Sequence, residues 1–270
     1  MAAFFVLSTA AHAGDDNLRA DLELLAAKRI YFAHQSVGAN ILAGVSELAR
    51  GAGVSVRIVQ EASAAAVAAD TFGHFFVPEN GAPLEKLANF KAAMGSGSPV
   101  DIALVKFCYV DINAATDVRA LFAHYQAAIA ELRAANPRTT FVHVTLPLTT
   151  EQTGVKALVK RMLGRAPYGT IENVRREQYN RLLRQAYGGR EPLFDLAGIE
   201  STAPDGHRVT VAWDGAVAPA LAGAYTDDGG HLNERGRIVV AREFVKVLAA
   251  AAATPLQKID GFVTPVRLSR

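Results

Sequence analysis

Two short segments near opposite ends of the chain hold residue types that together can carry out nucleophilic acyl chemistry. The first runs Arg29-Ile30-Tyr31-Phe32-Ala33-His34-Gln35-Ser36-Val37-Gly38-Ala39-Asn40, an apolar β-rich run that reaches a polar turn and passes at once into a helical pattern. A serine at such a junction exposes its hydroxyl at the edge of a sheet. The free N–H groups and dipole of the helix behind it favour a developing oxyanion. Taken alone, Ser36 is better explained as a helix N-cap. The second segment runs Tyr225-Thr226-Asp227-Asp228-Gly229-Gly230-His231-Leu232-Asn233-Glu234-Arg235-Gly236, a glycine-containing turn that also leads into a helix. Three residues apart on a turn, the Asp228 carboxylate can reach one imidazole nitrogen of His231 and fix its tautomer. The other ring nitrogen is then left to face a serine hydroxyl. An isolated D-x-x-H is most often a cap or a solvated surface pair, and it gains meaning here from its position relative to Ser36.

These segments need elements to bring them together. Apolar β-rich runs fall at 29–33, 54–60, 102–107, 140–145 and 192–195. Between them lie helical spacings: Ile41, Leu42, Val45 and Leu48; Leu84, Leu87, Phe90 and Met94; Val118, Leu121, Phe122, Tyr125, Ile129 and Leu132. Val174, Leu182, Leu183 and Ala186 predict a helix before the fifth run, and Ile238, Val239, Val240, Phe244 and Val247 a last one after His231. Strands alternating with helices imply a parallel sheet covered on both faces, an α/β fold with a three-layer α/β/α sandwich and the ligand site at the carboxyl ends of its strands. Two long post-strand loops, 61–82 and 197–230, are the expected pocket walls.

Composition narrows the function classes. A 270-residue chain that is 50% hydrophobic and 20% charged supports one large core. Its 28 basic and 26 acidic residues give no bulk electrostatic case for nucleic acid. The apolar start, through Phe4, Phe5, Val6 and Leu7 to Ala11-His12-Ala13, reads as a signal peptide over 1–13 and predicts an exported, periplasmic or secreted protein; a domain over 14–253 and a tail over 254–270 follow. No later stretch is long and apolar enough to span a bilayer. The single cysteine, Cys108, excludes an intramolecular disulfide and a C-x-x-C site, and reads as a small buried hydrophobe. The chain lacks G-x-S-x-G, H-E-x-x-H and G-x-x-x-x-G-K-[ST]. Lys156, Lys160, Arg161 and Arg165, with Arg175 and Arg176, form either a solvated helix face or an attractor for an acidic glycan. Lys106 is expected to pair with a carboxylate, and His34 and His143 to be structural.

With Ser36 after the first strand and Asp228-x-x-His231 before the last helix, the chain resembles the SGNH/GDSL hydrolase superfamily. The similarity runs from about Arg29 to Leu248. It is greatest to a bacterial branch with His-Gln-Ser-Val-Gly, Cys-Tyr-Val-Asp and Asp-Gly-Gly-His-Leu-Asn blocks. The resemblance implies a flavodoxin-like sheet of five parallel strands in the order 2-1-3-4-5, and a triad of Ser36, His231 and Asp228. The first block departs from the family's Gly-Asp-Ser, having His34-Gln35 before the serine. In the family an asparagine of a G-x-N-D block after the third strand helps hold the oxyanion; here that position is Val110, so Asn80 and Gly81 are the favoured donors, with Asn113 and Gly73 as rivals. Gln35, Tyr109 and Asp111 are the further substrate-binding or site-ordering candidates.

The resulting expectation is a serine esterase acting on a small ester or an acylated glycan, needing no metal or organic cofactor. An O-acyltransferase with the same triad and a non-catalytic glycan-binding module are the alternatives.

Overall fold

The computed structural model describes residues 17–254. The expected signal peptide over 1–13 and the tail beyond Thr254 lie outside the described residues. A helix over 17–26 (α1) precedes β1 (Arg29–His34), α2 (Val37–Ala52), β2 (Ile58–Gln60), β3 (Thr71–Phe76), α3 (Pro83–Met94) and β4 (Ile102–Val105). Then follow α4 (Val118–Ala135), β5 (Thr140–Phe141), β6 (His143–Val144), α5 (Val155–Met162), α6 (Thr170–Tyr187), β7 (Leu193–Phe194) and α7 (Leu196–Glu200). An antiparallel hairpin, β8 (Thr210–Trp213) and β9 (Ala216–Pro219), leads to the last helix, α8 (Glu234–Ala253).

The sheet is parallel in the order β2-β3-β1-β4-β5, and β6 pairs in parallel with β7 just beyond β5. Side-chain alternation along β1 builds two cores. Ile30 and Phe32 face one layer, with Leu22 of α1, Ile41 of α2 and Phe244 of α8; Tyr31 and Ala33 face the other, with Phe90 of α3, Leu121 of α4 and Leu183 of α6. This is the expected α/β/α sandwich with helices on both faces.

The lateral order departs from 2-1-3-4-5 by one insertion: β3 lies between β1 and β2, within the stretch 61–82 expected to be loop. Its residues Thr71-Phe72-Gly73-His74-Phe75-Phe76 are aromatic and β-favouring, but Gly73 and His74 interrupt the apolar run by which strands were recognised. Gly73 sits inside this strand because a Cβ there would meet Val67 Cγ2 at 2.6 Å. The second expected loop, 197–230, likewise contains α7 and the β8–β9 hairpin.

Candidate active site

Ser36 occupies the N-cap position of α2, directly beyond the carboxyl end of β1, with no side-chain capping hydrogen bond, and is half-buried. Room for that helix to start so close to the strand depends on Gly38, where a Cβ would lie 2.4 Å from His34 Cβ. Further along, Gly44 lets α2 approach α8, since a Cβ there would meet the Arg237 carbonyl at 2.5 Å. Close packing of α2 on α8 sets the N-terminal ends of both helices near one another. Asn40, one turn into α2, seals the approach: its Oδ1 accepts from the Leu232 N–H at 3.2 Å, the residue after His231.

The Asp228 carboxylate organises the turn before α8. Its Oδ1 accepts from the N–H groups of Gly230 at 2.9 Å and His231 at 2.8 Å and from the Thr226 hydroxyl at 3.3 Å, while Oδ2 meets His231 Nδ1 at 2.6 Å. The Thr226 hydroxyl accepts in turn from the Gly229 N–H at 2.9 Å. Gly229 has φ of 88°, a left-handed conformation that costs glycine nothing. The His231 backbone N–H, the His231 ring and the Gly230 N–H hold the Asp228 carboxyl well below the usual carboxylate range. An ionised Asp228 against Nδ1 places the ring proton there and leaves Nε2 as the basic nitrogen.

Ser36 and His231 are not hydrogen-bonded to each other. The Ser36 Oγ has Cys108 Sγ as its side-chain neighbour, at 3.9 Å. The next residue, Tyr109, sets its ring edge-on against His231 with centroids 5.9 Å apart, and a Cβ on Gly230 would touch that ring at 2.9 Å. Cys108 and Tyr109 therefore bridge the space between the hydroxyl and the imidazole.

Asp111 is fully buried and holds this floor together. Lys86 Nζ of α3 lies 2.8 Å from each of its oxygens, the Gly81 N–H donates to Oδ1 at 2.8 Å, and the Cys108 N–H donates to Oδ2 at 2.6 Å. A buried carboxylate with a paired cation and satisfied lone pairs is one that a fold can tolerate. It gives Asp111 an ordering role and engages the Gly81 N–H. Asn80 Oδ1 accepts from Lys86 at 2.9 Å, and among the described residues no acceptor lies against its Nδ2. Gln35 donates its amide N–H to the Val77 carbonyl. Asn113 is exposed, its Oδ1 accepting from the Ala115 N–H at 2.9 Å, and Gly73 lies inside β3.

The expectations for Lys106 and Arg176 are revised, and those for His34 and His143 are not. Among the described residues no carboxylate pairs with Lys106; it is buried and donates to the Phe107 carbonyl at 3.0 Å, and burial lowers its amine below the ordinary range. Arg176 is not on a solvated face: at 1% exposure it donates to the Tyr109 carbonyl at 2.9 Å, Thr149 Oγ1 at 3.0 Å and Asn173 Oδ1 at 2.7 Å, under the segment that supports His231. Its neighbour Arg175 is only half-buried, and the step of one residue along α6 turns the Arg176 side chain inward. His34 is buried, shares a hydrogen bond of 3.1 Å with His74, and is pushed down to about 3, chiefly by burial. His143 is buried, bonded to the Tyr125 hydroxyl at 2.7 Å and stacked on Tyr187. Both are structural, and burial keeps both neutral.

The sequence reading did not single out Lys86, Asn40 or Thr226. A signal for Lys86 existed: it lies four residues before Phe90 and eight before Met94, a lysine within an apolar helical stripe. Asn40 stands four residues after Ser36, on the same face of α2. Thr226 had no distinguishing signal. Among the described residues no group of three or more acidic, histidine or cysteine side chains is arranged to hold a metal ion.

No protein-family model and no curated protein matches the chain. Solved structures do. One described as a candidate platelet activating factor from Streptococcus pneumonia shares 15% identity over 90% of this chain and 96% of its own, with a TM-score of 0.50. A candidate GDSL-like lipase from Parabacteroides merdae has 11% identity, covering 82% of this chain and 95% of its own, with a TM-score of 0.45. The periplasmic domain of a Salmonella ser. Paratyphi A lipopolysaccharide acetyltransferase has 13% identity, covering 82% and 84%, with a TM-score of 0.43. At these identities the likeness is one of fold. The fold is shared across nearly the whole length of the Streptococcus protein.

Proposed function

We propose that this chain is a serine esterase of the SGNH/GDSL type, cleaving a carboxylic ester through an acyl-enzyme. The observation that carries the reading is the Asp228–His231 pair at 2.6 Å, tied through Leu232 to the helix whose N-terminus bears Ser36. In this scheme His231 Nε2 removes the Ser36 proton as Oγ adds to the ester carbonyl, and Asp228 stabilises the imidazolium. The tetrahedral intermediate collapses by breaking the bond to the alkoxy oxygen, which takes its proton from His231. Water, deprotonated by the same imidazole, then releases the acid and restores the serine.

Ser36 and His231 must tighten from their resting separation for the first proton transfer, as catalytic hydrogen bonds commonly do when substrate binds. The oxyanion donors in this reading are the Ser36 N–H at the start of α2 and Asn80 Nδ2; the Gly81 N–H is spent on Asp111. Gly81 then serves by fixing the Asn80 turn. Tyr109, edge-on to His231, is placed in this reading to meet the alcohol part of the ester.

The test is hydrolysis of p-nitrophenyl esters from acetate to octanoate by the wild type, Ser36→Ala and His231→Ala. Loss of roughly 10³-fold or more in kcat/KM in both variants, with unchanged thermal unfolding, supports the triad, and the chain-length profile defines the acyl pocket. Hydrolysis indifferent to Ser36 refutes it.

A further inference from the structure

Helix α5 is amphipathic but inverted relative to a helix that packs on a core. Its apolar residues Val155, Leu158, Val159 and Met162, with Leu163 just beyond, recur at the spacing of one helical face. That face points outward: the five are 78, 59, 48, 78 and 66% exposed, and Ala157 is the buried residue of the helix. Tyr168, 53% exposed, extends the apolar surface. Lys156, Lys160, Arg161 and Arg165 interleave with it, and no acidic residue occurs between Glu151 and Glu172. Arg161 pairs with Glu151 at 2.6 Å and Lys160 donates to Gln152 at 2.8 Å, so these two side chains lean toward the base of the helix.

That base abuts the candidate active site. The Thr150 N–H donates to the Gly229 carbonyl at 2.9 Å, next to Asp228, and the excursion closes where the Gln152 N–H donates to the Tyr168 carbonyl at 2.8 Å. An exposed apolar stripe flanked by cations alone is the chemistry of an interfacial helix, whose apolar side chains enter the acyl boundary while lysine and arginine meet anionic headgroups. An acidic glycan would use the cations and leave the stripe in water.

We propose that α5 seats the protein on an anionic lipid surface, with the candidate active site beside Gly229 held close to the headgroups. This docking does not depend on ester hydrolysis and is readable in Ser36→Ala.

The experiment is flotation of the full chain with vesicles of phosphatidylglycerol and phosphatidylcholine, or of phosphatidylcholine alone, at low and high salt. Anionic vesicles should bind at least tenfold better, with the preference weakening in salt. Leu158→Glu should lower binding roughly tenfold or more, and the Lys156→Glu, Arg165→Glu pair at least as much, at about fivefold per cation removed. Thermal unfolding should not change, because these side chains face outward, and Leu158→Glu should hydrolyse a soluble short ester as the wild type does. Equal binding by all α5 variants, or none to anionic vesicles, overturns the proposal. Binding to an acidic polysaccharide but not to vesicles overturns it in favour of a polymer. A dimer that Leu158→Glu dissociates, without vesicle binding, assigns the stripe to a second copy and also overturns it.

Discussion

Replacing Asp228 by asparagine tests the proposed chemistry more sharply than deleting it. Asparagine keeps an oxygen where Oδ1 accepts from the Gly230 and His231 N–H groups at 2.9 and 2.8 Å, so the turn retains its shape. An amide nitrogen replaces Oδ2, which lies 2.6 Å from His231 Nδ1. That nitrogen is a donor, so the ring must present Nδ1 as an acceptor and carry its proton on Nε2. A protonated Nε2 cannot remove the Ser36 proton, and the imidazolium loses its counter-charge. Together these effects should lower kcat/KM by about 10⁴-fold, or about 5.5 kcal/mol in transition-state stabilisation, with little change in KM. Folding should suffer much less, under about 1 kcal/mol near neutral pH, since the pair is largely solvated and its side chains are 41 and 56% exposed. The Asp228 carboxyl titrates lower in the folded chain than its ordinary 3.8. Its contribution to stability is therefore present above that value and lost as the pH falls through the lower folded one, so wild type and variant should converge in stability on acidification below about pH 4. The assays are steady-state hydrolysis of p-nitrophenyl acetate and thermal unfolding between pH 7 and 2. An Asp228→Asn enzyme within tenfold of wild type, beside an inactive Ser36→Ala, would refute the role assigned to the carboxylate.

Two further outcomes follow from buried charge. Glu200 is fully buried, with Oε2 lacking a hydrogen-bond partner among the described residues and Oε1 accepting from the Leu148 N–H; burial pushes its carboxyl from 4.5 up to about 8. The unfolded chain ionises it first, so this residue makes stability fall as pH rises from about 4.5 to 8, by roughly 5 kcal/mol at most. Glu200→Gln should flatten that slope and be more stable than wild type at pH 8.5 in urea unfolding; parallel curves would contradict the account. Lys86→Met leaves Asp111 buried without its cation and should cost about 3–5 kcal/mol, part of which a second change, Asp111→Asn, should restore. A loss under about 1 kcal/mol from the single change would show that the pair does not carry the floor of the site.

The parts of the fold that the sequence declared were those with one dominant period. Strand β1 is a run of buried apolar residues, and α2, α4 and α8 carry continuous apolar stripes, so they stand where the spacing put them. Strand β3 was hidden because its identity as a strand comes from neighbours on both sides, β1 and β2, and not from alternation of its own. In helix α5 the cations are legible as a helix face, but the meaning of its apolar stripe depends on which side turns outward, which only tertiary packing decides. Asp228 and His231 were legible because their partnership is local, three residues apart on one turn. The Lys86–Asp111 pair spans 25 residues, and nothing in either segment names the other.

Strand β3 also explains why three of the site's segments, those bearing Ser36, Asn80 and Cys108, lie side by side. Its register with β1 sets Phe76 opposite His34, so both chains leave the sheet at the same level. The Val77 N–H donates to the His34 carbonyl at 3.0 Å, and Gln35 returns a hydrogen bond to the Val77 carbonyl; the turn bearing Asn80 and Gly81 therefore starts beside the one bearing Ser36. On the other side, β4 pairs with β1 through Ala33 and Val105, and the Lys106 N–H donates to the Ala33 carbonyl at 2.9 Å, which brings Cys108 to within 3.9 Å of Ser36 Oγ. Asp111 then joins the two flanking loops, one oxygen accepting from Gly81 and the other from Cys108. Had β2 paired directly with β1, the stretch 61–82 would have been a long loop free to choose its own path. With β3 in place, only a short turn remains between its end and α3, and the buried carboxylate fixes it. The nucleophile candidate thus stands between two backbone exits held by sheet register and one fully satisfied charge, an arrangement that stays rigid before any substrate arrives.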